Sequence, residues 1–173
     1  INQSFGQSDL YTTLQLSQYI NTIANGGTRY APQLVSEIRS TDANGALGAL
    51  ETTLETKVMN QVDVDAQAME RVQQGFYQVT HSENGTAYST FGKDPNDVAG
   101  KTGTTELDRE TGYIKSQWMV GYTPDLVVAT WLGYDKTNEI YNLNNAGKTM
   151  ANLYSAEMGA LLSISPQTEF AVA

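Results

Sequence analysis

The chain has no cysteine, one histidine and four prolines, and it contains no apolar run of membrane-spanning length. Without cysteine there is no disulfide framework, no thiolate nucleophile and no cysteine-based zinc site. The longest apolar stretches, such as Leu126 to Ala129, are of strand length, well short of the roughly 18 residues a spanning helix needs. Positive charge is also scarce, with 10 Lys and Arg against 19 Asp and Glu for a formal charge of −9. That balance repels phosphate backbones instead of releasing their counterions, and it argues against nucleic acid as a partner. The opening residues Ile1-Asn2-Gln3-Ser4 offer no initiator Met, basic n-region or apolar h-region. They read as the start of an excised piece, with any export or anchoring signal expected outside these 173 residues.

What is present suffices for one ordinary core: 173 residues at 40% hydrophobic content predict a single domain over 1–173, with 167–173 as a tail. Thr12 followed three residues later by Gln15 matches a capping box, and Leu16, Tyr19, Ile20 and Ile23 recur at helical spacing up to a stop at Asn25-Gly26-Gly27. Tyr30 to Val35 is expected to be extended, with Ser36 to Arg39 continuing it as a short strand, before a turn at Asp42-Ala43-Asn44-Gly45. Asp65 is an N-cap candidate for a helix that places Met69, Val72, Phe76 and Val79 on one face and ends near His81. Loops follow at Ser82-Glu83-Asn84-Gly85 and Asp94-Pro95-Asn96-Asp97.

From Val98 the pattern changes to short extended runs: Val98–Thr105, Ser116–Tyr122 and Leu126–Tyr134, the last two joined by a tight hairpin at Thr123-Pro124-Asp125. A closing helix carries Met150, Leu153, Tyr154, Glu157, Met158, Leu161 and Leu162, with Pro166 limiting its extent. The order helix, strand fragment, helix, three-strand meander, helix predicts an α+β fold, with helices packed on an antiparallel sheet.

One tripeptide at the start of the meander carries chemistry. Lys101-Thr102-Gly103 is the K-T-G element found beside S-x-x-K and S-D-N in penicillin-binding proteins and class A β-lactamases. Alone it is weak, since a fixed tripeptide turns up by chance in about one chain in fifty of this length. Its surroundings add weight: Phe5-Gly6-Gln7, Tyr11-Thr12-Thr13-Leu14-Gln15, Thr22-Ile23-Ala24-Asn25-Gly26-Gly27 and Tyr30-Ala31-Pro32 upstream, and Trp118-Met119-Val120-Gly121-Tyr122-Thr123-Pro124 downstream. From about Phe5 to about Leu162 the chain resembles the C-terminal part of a penicillin-binding protein's transpeptidase domain. The first segment points to the monofunctional, class B type.

The resemblance implies a serine acyl-enzyme reaction on the D-Ala-D-Ala end of a peptidoglycan stem peptide, or on the lactam carbonyl of a β-lactam. It implies an extracytoplasmic location at the bacterial membrane for the whole protein, and no cofactor or metal. Lys101 would set an ammonium near the substrate's terminal carboxylate, and the hydroxyls of Thr102 and Thr104 would hydrogen-bond that carboxylate. Gly103 would let the substrate backbone lie along the strand edge, and the Thr104 N–H would give one oxyanion-hole donor. The catalytic serine is missing. Ser36 is followed by Glu37-Ile38-Arg39, no other serine heads S-x-x-K, and Ser82-Glu83-Asn84 matches S-x-N only in form, 19 residues before Lys101. The chain alone is therefore expected to be inactive, and a non-catalytic peptidoglycan-binding or interaction module of the same fold is the alternative. In relatives the strand matching Leu126–Tyr134 has a further partner, so an open edge beside Val127, Ala129 and Trp131 is expected to favour self-association.

Plainer readings compete at several positions. Lys101 could be a solubilising lysine on an edge strand. Gly100-Lys101-Thr102 and Gly147-Lys148-Thr149 resemble the end of a Walker A loop, but Pro95 and Asn142 stand where its first glycine is required. Ser82 reads as a solvated turn. His81, a candidate for a Ser-His-Asp triad, is expected instead to cap its helix. Glu106, Asp108 and Glu110 read as a solvated acidic loop, and Trp118 and Trp131 as core packing.

Overall fold

The computed structural model describes residues 9–94, 96–108, 110–146, 148–165 and 168–170. Phe5-Gly6-Gln7, Pro95, Gly147 and Pro166 lie outside the described residues, as does the tail apart from 168–170.

Helix α1 (Thr13–Ala24) begins at the expected capping box: the Thr12 hydroxyl accepts from the Gln15 N–H at 3.2 Å, and the Gln15 side chain accepts from the Thr12 N–H at 2.9 Å. Ile20 and Ile23 are buried, whereas Tyr19, expected on the same stripe, is 58% exposed. Helix α2 (Ala66–His81) starts on the Asp65 carboxylate, which accepts from the Gln67 and Ala68 N–H groups. Its inner face departs from the expected one at a single position. Val72 is 44% exposed, and Gln73 turns inward instead, donating from Nε2 to the Ile23 carbonyl at 2.7 Å. That bond satisfies a carbonyl in the last turn of α1, a polar need that an apolar periodicity does not register.

Between these helices lie four short strands, β1 (Thr28–Tyr30), β2 (Glu37–Thr41), β3 (Leu47–Thr53) and β4 (Val58–Gln61). The extended run expected over Tyr30–Val35 is not one strand: β1 ends at Tyr30 and pairs with β4, while β2 pairs with β3 across the expected turn at Asp42–Gly45. The Asp42 carboxylate accepts from the Asn44 and Ala46 N–H groups and shapes that turn. No residue of 37–53 is buried, so the β2–β3 hairpin stands clear of the core.

The main sheet is the meander β5 (Ala99–Glu106), β6 (Ile114–Tyr122) and β7 (Val127–Gly133), antiparallel throughout with β6 central. Thr123 closes the β6–β7 turn as expected, its N–H donating to the Leu126 carbonyl and its hydroxyl accepting from the Asp125 and Leu126 N–H groups. Alternation along β6 divides the core in two. Met119 points to the face where Val98, the short helix α3 (Tyr88–Phe91) and α4 (Thr149–Leu162) supply Phe91, Met150, Tyr154 and Met158. Trp118, Val120 and Tyr122 point the other way, onto Ile20, Ile23 and Ala99. Burial on that second face pushes the Tyr122 hydroxyl up to about 12. The fold is thus α+β, an antiparallel sheet with helices on both faces.

Candidate functional site

Lys101, Thr102, Gly103 and Thr104 fall in the middle of β5, facing Val120, Met119, Trp118 and Gln117 of β6 in register. Among the described residues β5 pairs only with β6, so its outer edge is open. Alternate backbone N–H and C=O groups along that edge are available to an extended ligand, which would pair as one more strand. Strand parity sends Lys101 and Gly103 to the α1 face and Thr102 and Thr104 to the α4 face. The Lys101 ammonium donates to the Thr102 carbonyl at 2.5 Å. No described carboxylate lies within ion-pair distance of it, which leaves its charge for an incoming anion.

Gly103 sits directly over Trp118: a Cβ there would lie 3.2 Å from the Trp118 Cβ and 3.8 Å from its Cγ. The glycine therefore brings β5 close down on the indole and keeps its own surface flat. Trp118 is partly buried against the α1-side core, as expected. Trp131, its partner across β6–β7 with ring centroids 6.4 Å apart, is 40% exposed, and the expectation of a core residue fails there. Its strand has no second neighbour among the described residues, so its ring is covered on one side only and lies along its own strand over Gly133.

Thr102 is not free of protein contacts. Its hydroxyl oxygen is 2.9 Å from that of Thr86, in the loop that follows α2. Sequence reasoning missed Thr86, because nothing local marks a threonine whose partner lies 16 residues away. Ser82 closes α2, its N–H donating to the Gln78 carbonyl and its own carbonyl accepting from Gly85 N–H. The segment is an organised turn built onto the helix end.

His81 ends α2 as expected. Its Nδ1 is 2.9 Å from the Thr80 hydroxyl and 3.1 Å from the Tyr77 carbonyl, and its Nε2 is 3.1 Å from an Asp97 carboxylate oxygen. The imidazole stacks on Tyr77 with centroids 3.7 Å apart. Its partners are a threonine, a carbonyl and a carboxylate, an arrangement that ties the helix end to the start of β5 and contains no nucleophilic serine. In the acidic loop, Asp108 accepts from Thr111 N–H and hydroxyl at 2.7 Å each and from Glu110 N–H. Those bonds, the two from Thr111 foremost, hold its carboxyl below the usual range. No helix among the described residues is long and apolar enough to cross a membrane.

Comparison with known proteins agrees with this geometry. A family model for the penicillin binding protein transpeptidase domain matches residues 1–156. Penicillin-binding protein 2A of Bacillus subtilis is 42% identical over 103 residues, covering 60% of this chain and 14% of that protein. Penicillin-binding protein 2B of Streptococcus pneumoniae is 42% identical over 111 residues, covering 61% of this chain and 16% of that protein. The solved structure of penicillin-binding protein 2B from S. pneumoniae strain R6 superposes with a TM-score of 0.75 at 29% identity, over 98% of this chain and 27% of that one. The chain thus spans a small fraction of the length of these relatives. A K-T-G strand at an open sheet edge, helices on both faces and a family match over residues 1–156 lead to one conclusion: the chain belongs to the penicillin-binding protein transpeptidase domain family of cell-wall synthesis.

Proposed function

We propose that these residues form the substrate-binding C-terminal part of a peptidoglycan D,D-transpeptidase. The observation that carries the reading is the exposed β5 edge with Lys101-Thr102-Gly103-Thr104 at its centre. A stem peptide ending in D-Ala-D-Ala would lie along that edge as an added strand, and a β-lactam would occupy the same place. The Lys101 ammonium and the Thr102 and Thr104 hydroxyls would hold its terminal carboxylate, and the Thr104 N–H would donate to the developing oxyanion. Acylation requires a serine and a base to activate it, and no S-x-x-K occurs in the 173 residues. The nucleophile would then come from a part of the protein beyond them, on the outer face of the cell membrane, and this chain alone would be inert. The missing S-x-x-K also favours the second reading, a peptidoglycan-binding module that performs no chemistry.

The test is covalent labelling. The longer protein carrying these residues, treated with a fluorescent penicillin, is expected to form a stoichiometric adduct, and the 173-residue chain is expected to form none by mass spectrometry. Absence of an adduct on the longer protein would favour the non-catalytic module. An adduct on Ser82, or on any other serine of the isolated chain, would overturn the assignment of the nucleophile.

A further inference from the structure

We propose that Thr86 is a positioning residue of the site: its hydroxyl donates to that of Thr102 and so aims the Thr102 proton at the carboxylate of the bound substrate or β-lactam. This rests on the reading of β5 as the carboxylate-binding strand.

Hydrogen counting sets the direction of the Thr86–Thr102 bond. A hydroxyl has one proton to give and two lone pairs with which to accept. An ionised carboxylate only accepts, so Thr102 can hold it only by donating. The 2.9 Å contact between the two hydroxyl oxygens then has one consistent polarity, in which Thr86 donates and Thr102 accepts. With its lone pair engaged, the Thr102 hydroxyl is restrained in rotation and its proton points away from Thr86, toward the ligand. The order of donors in such a chain also strengthens the outer bond, since each link polarises the next.

The loop that presents Thr86 is built to hold it there. Gly85 admits no side chain, because a Cβ would lie 2.3 Å from the Val79 carbonyl oxygen and 2.5 Å from that of Gln78. The loop can therefore lie flat against the last turn of α2. On the other side Ala87 is buried in the α4-side core, and its N–H donates to the Val79 carbonyl at 3.0 Å. Between these two anchors Thr86 is exposed, with its hydroxyl on the one residue of K-T-G whose proton must be directed. The end of α2 is in turn fixed to β5, since the buried Thr80 hydroxyl donates to the Val98 carbonyl at 2.6 Å. Loop and strand are thus held in one frame, and the Thr86–Thr102 distance is set by packing.

The experiment uses the complete protein containing these residues and measures second-order acylation by benzylpenicillin and by its methyl ester, which lacks the ionised carboxylate. Thr86→Val keeps the shape and removes the donor; it is expected to slow acylation by the free acid about five- to ten-fold, the range for loss of one hydrogen bond to a charged acceptor's partner. Thr86→Ser should restore the rate, the methyl ester should be insensitive to the change, and adding Thr86→Val to Thr102→Val should cost nothing further. Thr86→Ala carries the same expectation should valine disturb the loop, with Glu83→Gln on the same loop as an unaffected control. Equal slowing of acid and ester, additive losses with Thr102→Val, or a normal rate in Thr86→Val while Thr102→Val is slow, would each overturn the role of Thr86 alone. A normal rate in Thr102→Val would instead overturn the reading of the strand, and this inference with it.

Discussion

At the scale of single residues, Gly103 and Lys101 make opposite demands on β5. A methyl group at Gly103 would meet the Trp118 Cβ at 3.2 Å, an atom fixed to the β6 backbone that cannot swing aside. Gly103→Ala is therefore expected to push the two strands apart, at a cost of about 1–3 kcal/mol as for other overpacked sites. Chemical denaturation would measure the loss, and a shifted tryptophan emission in a Trp131→Phe background would place it at Trp118. Lys101 has room but carries the charge. In the longer protein Lys101→Ala is expected to slow acylation by about two to three orders of magnitude, the usual effect of removing one preorganised electrostatic contact, while Thr102→Ser stays mild. Unchanged kinetics in Lys101→Ala would reduce that residue to an edge-strand lysine. Asp108 gives a pH test. Because its folded carboxyl titrates below the unfolded one, its contribution to stability is present above the unfolded pKa and fades as pH falls through the folded one. Thr111→Val should move the Asp108 titration, followed by NMR, back up toward the ordinary value.

Among the elements, those marked by a cap, a turn motif or a long buried face were legible in the sequence; β2 was expected from Ser36–Arg39 although none of its residues is buried, and the one-turn α3 was not expected although Phe91 is buried. The capping box at Thr12 and the Asp65 cap located α1 and α2, and the Thr123 turn located the β6–β7 hairpin. Strands β3 and β4 escaped notice because both their faces meet solvent, which leaves no alternation to read. Gln73 and Thr86 escaped for a related reason. Each matters through a hydrogen bond to a residue distant in the chain, and spacing along the sequence carries no trace of that. The K-T-G strand could be read because its meaning lies in residue identity. Helix α4 allows a direct check of packing. Met158 is fully buried in the core that it shares with Met119 and Tyr154, whereas Leu161 is 37% exposed. Met158→Ala is expected to cost about 2–5 kcal/mol in urea unfolding and Leu161→Ala clearly less; equal losses would mean that the helix is rotated from the position described.

At the scale of the whole molecule, the sheet has two unequal edges. The outer edge of β5 is the proposed place of the substrate, whereas β7 presents Val127, Ala129 and Trp131 along a strand with no second neighbour among the described residues. An open edge of this kind is a template for another strand. We propose that the isolated chain self-associates there, most simply through a two-fold antiparallel contact. Sedimentation is expected to show a dimer or larger species that Trp131→Lys, at the exposed position of this edge, disperses; a well-folded monomer at high concentration would count against it.

The β2–β3 hairpin, clear of both cores, has a different consequence. Its opening need not disturb the sheet, so it should open many times for each global unfolding event. Arg39 lies in this hairpin and Lys115 in the central strand. Brief digestion with trypsin under native conditions should therefore nick the chain after Arg39 long before Lys115, and leave the remainder folded around an intact meander.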